Sequence, residues 1–313
     1  MRLYCCSYFE KNENAFVTST ESINWASIVE SLHIRRMKGE EFSLKNDSNF
    51  SIDGLAGDWT PVMSSDQAAV YYSVEHSVFA KIFYETRLKH RIKNLLIPST
   101  SRHKRFIDRT NDLHRLNIPT PKIIASGVIE NNGYVVSEAF PGMGLGSFLA
   151  RYLSPVSKNK SIFLWRREAI NKLSELIASL HSVGVAHGDL RPNNILLDYL
   201  SKVPSFCFID NERNSSIKPP LTEGAIIKNL VQLNMIWLED VCLTDRFRFI
   251  VCYFENIDKT VYPNFKDSLY QKKIIRAVQT KTVDRLIGKS KDGYRKSVGF
   301  EPFIPDVKKL VSE

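Results

Sequence analysis

The chain has 313 residues, of which 43% are hydrophobic and 25% are charged, a composition typical of a globular protein with a sizeable core. Its 43 lysines and arginines against 34 acidic residues give a formal net charge of +9, which favours an anionic partner such as a nucleotide or an acidic lipid surface. The five cysteines form no CxxC pair, and the longest apolar runs are too short to cross a bilayer. These features exclude a disulfide scaffold and a membrane-spanning protein, and they predict a cytoplasmic protein with free thiols.

The first half of the chain shows mainly strand patterns. Residues 1–50 contain one predicted helix, SINWASIVESLHI. Between Trp59 and Tyr84, three segments rich in β-branched and aromatic residues predict strands: TPVMSS, AAVYYSV and VFAKIFY. The segment SRHKRFIDRTNDLHRL predicts a basic amphipathic helix that ends before IPTPK, because proline and the residue before it resist helix. IIASGVIE and YVVSEAF then predict a hairpin that turns around Asn132-Gly133.

The second half is predicted to be mainly helical. The segment PGMGLGS is interpreted as a joint between the halves, since it lacks the spacing and the Lys-Ser/Thr pair of a phosphate loop. In WRREAINKLSELIASLHSVG the apolar side chains fall on one helical stripe, and Gly184 is placed to end that helix in a left-handed conformation. The chain from Asn229 to about Leu286 also indicates helices. Strands followed by helices predict an α+β fold.

The stretch GVAHGDLRPNNILLDYLSKVPSFCFIDNER, residues 184–213, carries the clearest chemical pattern. If NILLD and SFCFID form an antiparallel hairpin, Asn194 and Asp210 emerge at the same end, about 5 Å apart at Cα. An amide oxygen and a carboxylate in that arrangement suit Mg²⁺. Asp189, in the loop before the hairpin, is then placed to act as a base or to orient a hydroxyl. Each residue alone also fits a turn cap or a strand end, and only the set predicts a site.

The segment HGDLRPNN resembles the catalytic loop of the protein-kinase-like phosphotransferases, and FIDNE resembles their metal-binding strand end. The resemblance implies a two-lobed fold with a β-rich N-lobe and a mainly helical C-lobe, and it implies ATP and Mg²⁺ as cofactors. On that basis Asp189 is expected to be the catalytic base, with Asn194 and Asp210 as magnesium ligands. The expected division is an N-terminal extension at 1–50, an N-lobe at 51–140 and a C-lobe at 141–313.

The same resemblance assigns ATP-binding roles in the first half. Lys81, in mid-strand among apolar neighbours, is expected to meet the α- and β-phosphates of ATP. Backbone groups of Glu138 and Phe140, in SEAF, are expected to hydrogen-bond adenine. No glycine-rich loop joins the first two strands, so phosphate binding there would involve backbone amides and Ser64 or Ser65.

Three features point to one branch of this superfamily. His-Gly-Asp replaces His-Arg-Asp, Asp210 is followed by Asn-Glu-Arg, and no Ala-Pro-Glu segment follows. The run FIDNERN…IKNLVQLNMIWL…LTDRFRFIVCYF resembles the Kdo/WaaP (InaA-type) lipopolysaccharide kinase family. The resemblance implies phosphorylation of a Kdo or heptose of the lipopolysaccharide core, at the inner face of the inner membrane. An anionic membrane surface also suits the basic residues of the first half, although a solvated basic face is equally compatible with them. These are Arg87, Lys89, Arg91, Lys93, Arg102, Lys104 and Arg105.

Some positions depart from the kinase pattern. Phe106 stands where relatives often carry the glutamate that pairs with the lysine, and Asp108 and Asp112 are the alternatives for that partner. Asn229 stands where protein kinases have the aspartate that anchors the catalytic loop. These departures keep a nucleotide-binding pseudokinase scaffold open as an alternative. A small-molecule phosphotransferase of aminoglycoside or choline kinase type, with Glu212 supporting the metal, is another. No nucleic-acid partner is expected, because no recognition motif is visible.

Overall fold

The computed structural model describes residues 23–37, 59–65, 67–84, 101–152, 160–236 and 241–291. The chain divides into two compact units. Of the described residues, those up to His114 together with Thr120–Phe140 form the first, here called the sheet unit. Arg115–Pro119 and the described residues from Pro141 onward form the second, here called the helical unit.

In the described part of the sheet unit, five antiparallel strands follow the order β1-β2-β3-β5-β4. Their bounds are β1 Trp59–Ser65, β2 Ala68–Ser73, β3 Val78–Phe83, β4 Ile123–Ile129 and β5 Asn132–Glu138. All five strand predictions are therefore confirmed. Inward and outward side chains alternate along β2 and β3, as expected for strands with one face on a core.

Helix α1, Trp25–Met37, confirms the one helix predicted within residues 1–50. It contributes Ile28, Val29 and Leu32 to the same buried cluster as Trp59 on β1. Burying an aliphatic side chain of this size stabilises a fold by about 1.5–3 kcal/mol. Part of the presumed N-terminal extension therefore belongs to the core of the sheet unit.

Helix α2, Arg102–Arg115, confirms the predicted basic helix. Arg102 Nη1 donates to the carbonyl of Gln67 at 2.9 Å. A Cβ built on Gly133 would lie 2.0 Å from the His103 ring, so the helix packs where only glycine leaves room.

The predicted turn at Asn132-Gly133 is wrong. Ile129 pairs with Asn132 and Val128 pairs with Gly133, so the turn lies at Glu130 and Asn131. Glu130 adopts φ 54°, and the hairpin therefore turns without a glycine. The glycine serves the contact with α2.

The helical unit contains a short sheet ordered β6-β7-β8 and a group of helices. Its strands are β6 Met143–Gly144, β7 Ile195–Asp198 and β8 Ser205–Phe208. Its α-helices are α3 Leu145–Tyr152, α4 Lys160–Ser182, α5 Glu223–Leu233, α6 Leu243–Asn256 and α7 Ser268–Lys291. Short 3₁₀ turns occupy Pro192–Asn194, Asn211–Arg213 and Pro263–Lys266. The helical character predicted for the second half is confirmed.

The chain passes from the sheet unit to the helical unit between Phe140 and Pro141, where the predicted joint PGMGLGS begins. From Met143 onward the segment is ordered: Met143 pairs with Leu197 on β7, and α3 begins directly afterwards at Leu145. A Cβ on Gly142 would lie 2.2 Å from the Leu197 carbonyl oxygen, so glycine serves close backbone contact there.

Gly184 adopts φ 78° just after α4, as predicted for a left-handed helix end. Its amide donates to the His181 carbonyl at 2.9 Å. The chain then turns directly into the segment that carries Asp189.

No helix in the described ranges combines the length and the hydropathy that a membrane crossing requires. The basic segment RLKHRIK, with Arg87 to Lys93, lies outside the described residues.

Candidate active site

The predicted hairpin of the helical unit is confirmed. Ile195 pairs with Phe208 and Leu197 pairs with Phe206. Beyond the last pair, the amide of Ile209 donates to the carbonyl of Asn194 at 3.0 Å. Asn194 and Asp210 therefore stand at the same end of the hairpin, as the sequence predicts.

Asp189 lies in the loop before this hairpin and its side chain is 19% exposed. Its carboxylate accepts from Arg191, whose Nε lies 2.8 Å from Oδ1 and 2.9 Å from Oδ2. Arg191 Nη2 also donates to Oδ2 at 2.5 Å. This fork-shaped contact fixes the carboxylate plane in a way that a lysine could not. Sequence reasoning missed Arg191, although its position two residues after Asp189 is a usable signal.

The amide of Asn194 has one possible orientation. Its Nδ2 donates to the Asp189 carbonyl at 2.8 Å, so Oδ1 is the atom left to bind a cation. Asp210 adds a carboxylate and adopts a left-handed backbone with φ 61° and ψ 42°. An amide oxygen with one carboxylate fits Mg²⁺, which binds a few protein oxygens and completes its shell with phosphates and water. The residues present therefore suit the metal that the resemblance implies.

His187 ties the loop to the strand that ends at Asp210. Its Nε2 donates to the Ile209 carbonyl at 3.0 Å, and its Nδ1 accepts from the Asp189 amide at 3.1 Å. Because Nδ1 accepts a hydrogen bond, the ring is neutral. Burial lowers the pKa of His187, against the opposing effect of its bond to Ile209. His187 thus has a structural role and does not serve to transfer protons.

Asn229 on α5 anchors the same loop, as its sequence position suggested. Its Nδ2 donates to the His187 carbonyl at 2.6 Å, and its Oδ1 accepts from the His187 amide at 2.9 Å. The side chain is 1% exposed. Oδ1 also faces Nε2 of His181 at 3.1 Å, and His181 Nδ1 faces the Tyr253 hydroxyl at 2.8 Å. An asparagine therefore performs the anchoring that an aspartate performs in protein kinases.

The segment after Asp210 is hydrogen-bonded to the loop that carries Asp189. The Gly188 amide donates to Asn214 Oδ1 at 3.2 Å. The Ser215 amide donates to the Ala186 carbonyl at 2.9 Å, and the Ala186 amide donates to Ser215 Oγ at 2.9 Å. These bonds join the backbone just before Asp189 to the segment that follows Asp210.

In the sheet unit, Lys81 lies on β3 opposite Val70 and Val135. Its Nζ lies 5.0 Å from the centroid of the Phe83 ring and 5.5 Å from that of Phe106. Phe106, which the resemblance places where relatives carry an acid, thus contacts the lysine.

Two carboxylates of α2 were the alternatives for the partner of Lys81. Asp112 accepts a hydrogen bond from Arg109 at 3.1 Å, and Asp108 is exposed. The identity of the acid that pairs with Lys81 stays a prediction.

The remaining predicted nucleotide contacts lie at strand ends of the same unit. Ser64 and Ser65 pair with Ala69 and Ala68 at the turn between β1 and β2. The amide of Glu138 donates to the Lys122 carbonyl at 2.9 Å. An adenine contact from Glu138 would therefore use its carbonyl group.

The sequence matches the model of the lipopolysaccharide kinase (Kdo/WaaP) family over residues 63–253. This match spans more than half of the chain and includes Lys81, Asp189, Asn194 and Asp210. The chain belongs to the lipopolysaccharide kinase family. A search of curated protein sequences found no significant match.

Solved structures resemble this lipopolysaccharide kinase family member in fold. WaaP in complex with acyl carrier protein is 14% identical, with a TM-score of 0.52, and the match covers 80% of this chain and 95% of WaaP. The type VIII aminoglycoside-3'-phosphotransferase is 16% identical, with a TM-score of 0.48 and coverage of 80% and 97%. The bifunctional kinase-methyltransferase WbdD is 17% identical, with a TM-score of 0.41 and coverage of 68% and 47%. The likeness to WaaP shows that the fold is α+β and protein-kinase-like, as the sequence predicts.

Proposed function

We propose that the protein is an ATP- and Mg²⁺-dependent kinase that transfers the γ-phosphate of ATP to a sugar hydroxyl, on Kdo or heptose, of the lipopolysaccharide core. The observation that carries the proposal is the placement of Asp189, Asn194 and Asp210 at one end of the β7–β8 hairpin. Membership of the lipopolysaccharide kinase family supports the acceptor class. Asn194 bonds the Asp189 carbonyl through Nδ2, and its own carbonyl accepts from the amide of Ile209, the residue before Asp210.

Asp189 is the proposed base that accepts the hydroxyl proton of the sugar. Arg191 holds its carboxylate, with one donor on Oδ1 and others on Oδ2. A positioned base of this kind contributes about 10²–10⁴-fold to a rate. The remaining exposure of the carboxylate, 19%, leaves it accessible to a hydroxyl group.

The nucleotide contacts that the resemblance implies are part of the proposal. When bound, Mg²⁺ neutralises phosphate charge, and Asn194 Oδ1 with the Asp210 carboxylate are the proposed ligands. Lys81 is the proposed contact of the α- and β-phosphates, with backbone near Ser64 and Ser65 assisting. The carbonyl of Glu138 and the backbone of Phe140 are the proposed adenine contacts.

The charge of the chain suits an anionic acceptor at a membrane surface. Lys104 and Arg105 on α2 are exposed, and the chain carries a net charge of +9. Each basic residue near anionic lipid contributes about 1 kcal/mol of attraction. We therefore propose action at the cytoplasmic face of the inner membrane, by peripheral association.

The test is transfer of labelled γ-phosphate from ATP to purified, dephosphorylated lipopolysaccharide core in the presence of Mg²⁺. Asp189→Asn and Asp210→Ala should abolish the label on the core. Asp267→Asn is the matched control, because this carboxylate of the helical unit accepts from the Leu269 amide at 2.9 Å in a local turn. Its activity should equal that of the parent protein.

Three results would contradict the proposal. Transfer that persists in both site variants would remove these carboxylates from the mechanism. ATP binding without transfer to any core acceptor would indicate a scaffold, and transfer to an aminoglycoside in place of the core would indicate a small-molecule kinase.

A further inference from the structure

Gln232 on α5 contacts the candidate base directly. Its side chain is 3% exposed, and its Nε2 lies 3.5 Å from Asp189 Oδ1. Its Oε1 accepts from the Leu190 amide at 3.2 Å and from Asn229 Nδ2 at 3.1 Å. Both the oxygen and the nitrogen of the Gln232 amide therefore face groups of the loop that carries Asp189.

The orientation of this amide follows from its partners. The Leu190 amide can only donate. Asn229 Nδ2 is the donor end of its group, because it also donates to the His187 carbonyl at 2.6 Å. Two donors therefore face one end of Gln232, which must be the oxygen. The nitrogen therefore faces Asp189. If the amide were flipped, its N–H groups would face the N–H donors of Leu190 and Asn229, and its oxygen would face the Asp189 carboxylate.

Farther partners fix the orientation of Asn229 in turn. Its Oδ1 accepts from the His187 amide, so Nε2 of His181 must carry a proton to bond the same oxygen. His181 Nδ1 then accepts from the Tyr253 hydroxyl. Each side chain in this series thus donates a hydrogen bond to the next. The series runs from Tyr253 on α6 to His181 on α4, then to Asn229 and Gln232 on α5, and ends at Asp189. Nothing in this chain of bonds allows Gln232 to turn its oxygen toward the base.

We propose that Gln232 is a positioning residue for Asp189, whose Nε2–H holds the carboxylate in the orientation that receives the proton of the acceptor hydroxyl. The inference rests on the proposed function, since it assigns a role relative to that base. Arg191, whose side chain is 52% exposed, bonds the carboxylate from its exposed side. Gln232 Nε2 faces Oδ1 from the buried side. The distance of 3.5 Å is long, as catalytic hydrogen bonds commonly are before substrate binds.

Gln232→Glu is the most direct test. The substitution keeps the shape of the side chain and one oxygen for Leu190 and Asn229, but it replaces the N–H that faces Asp189 with an oxygen. Hydrogen bonds to charged groups are strong enough that we expect kcat to fall about tenfold to a hundredfold, with the KM for ATP unchanged. Wild-type kcat in both Gln232→Glu and Gln232→Met would overturn the proposal, because methionine cannot supply the hydrogen bond that a protonated glutamate could still donate to Asp189.

Gln271→Glu is the matched control. Gln271 on α7 also donates one N–H from its side chain, to the Phe265 carbonyl at 2.8 Å. The same change of amide to carboxyl there should leave kcat unaltered. An equal loss of kcat in both variants would show a general effect of the substitution and would overturn the specific role.

A double-mutant cycle decides the matter if Gln232→Glu does not fold. Gln232→Met and Arg191→Ala are made singly and together, and kcat is compared. If both residues act through Asp189, the combined loss should differ from the product of the single losses by about fivefold or more. Multiplicative losses would overturn the proposal.

A spectroscopic measurement separates this inference from the proposed function. The side-chain amide of Gln232 is followed by NMR in the ¹⁵N-labelled protein and in Asp189→Asn. A shifted resonance in that variant, together with no transfer by the parent protein to any core acceptor, would support the contact while the proposed function fails. An unchanged resonance would overturn the inference whether or not the protein transfers phosphate.

Discussion

Replacing Asn229 with alanine should destabilise the helical unit more than the loss of a buried side chain that makes a single hydrogen bond. The side chain is buried and bonds four groups: the His187 amide, the His187 carbonyl, His181 Nε2 and Gln232 Oε1. Asn229→Ala removes all four bonds at once. Gln232 Oε1 keeps the Leu190 amide as a partner, so it is not left unsatisfied.

Three buried groups lose a partner in Asn229→Ala: the amide and the carbonyl of His187, and Nε2 of His181. Each buried polar group left unpaired costs about 1–3 kcal/mol. Because the vacated space has polar walls, water can enter it and recover part of the loss. We therefore expect the free energy of unfolding to fall by about 4 kcal/mol, near the lower end of the sum.

The assay is urea unfolding followed by far-UV circular dichroism, with Ser174→Ala as the matched control. Ser174 is also fully buried, but its hydroxyl makes one bond, to the Phe249 carbonyl at 2.8 Å. Its loss should cost about 1 kcal/mol. If Asn229→Ala costs no more than Ser174→Ala, the anchoring argument is wrong.

Acidification and a pair of glycine substitutions provide two further tests. Burial lowers the pKa of His181 from 6.5 to about 4. The unfolded chain therefore binds more protons between these values, so stability is full above about pH 6.5 and falls by about 3 kcal/mol as the pH drops to about 4. Urea unfolding against pH measures this, and His181→Gln should flatten the dependence; an equally steep fall in that variant would refute the assignment. Separately, Gly188→Ala would bring a Cβ to 2.2 Å from Arg213, and should lower both stability and kcat, at a cost of about 1–3 kcal/mol. Gly224→Ala, with nothing within 4 Å of its Cβ, should instead raise the melting temperature, and similar effects of the two would contradict the packing argument.

Much of this protein could be predicted from local patterns. The strands of the sheet unit, helix α2 and the hairpin of β7 and β8 are all confirmed, because each depends on side chains a few residues apart. The set of Asp189, Asn194 and Asp210 lies within one stretch of the chain. A hairpin is enough to bring its two ends together, so no knowledge of distant contacts was needed.

Other features required the tertiary structure. The turn at Glu130 and Asn131 was misplaced, since Gly133 is needed for contact with His103 on a helix and not for the turn. The order in PGMGLGS depends on β7, which lies far along the chain. The sequence alone does not show whether a glycine serves a turn, a close contact or a joint between units. Only the residues that surround it in the fold distinguish these roles.

The support of the candidate base was also decided only by the fold. Sequence motifs identified Asp189, and its anchor Asn229 was suggested by position alone. The roles of His181, Gln232 and Tyr253 come from three helices that meet beneath one loop. The sequence by itself thus determined which groups are the candidates for the chemistry, because those groups are close in the chain. Their orientation depends on buried hydrogen bonds between elements far apart in sequence, and such bonds exist only once the helices have packed.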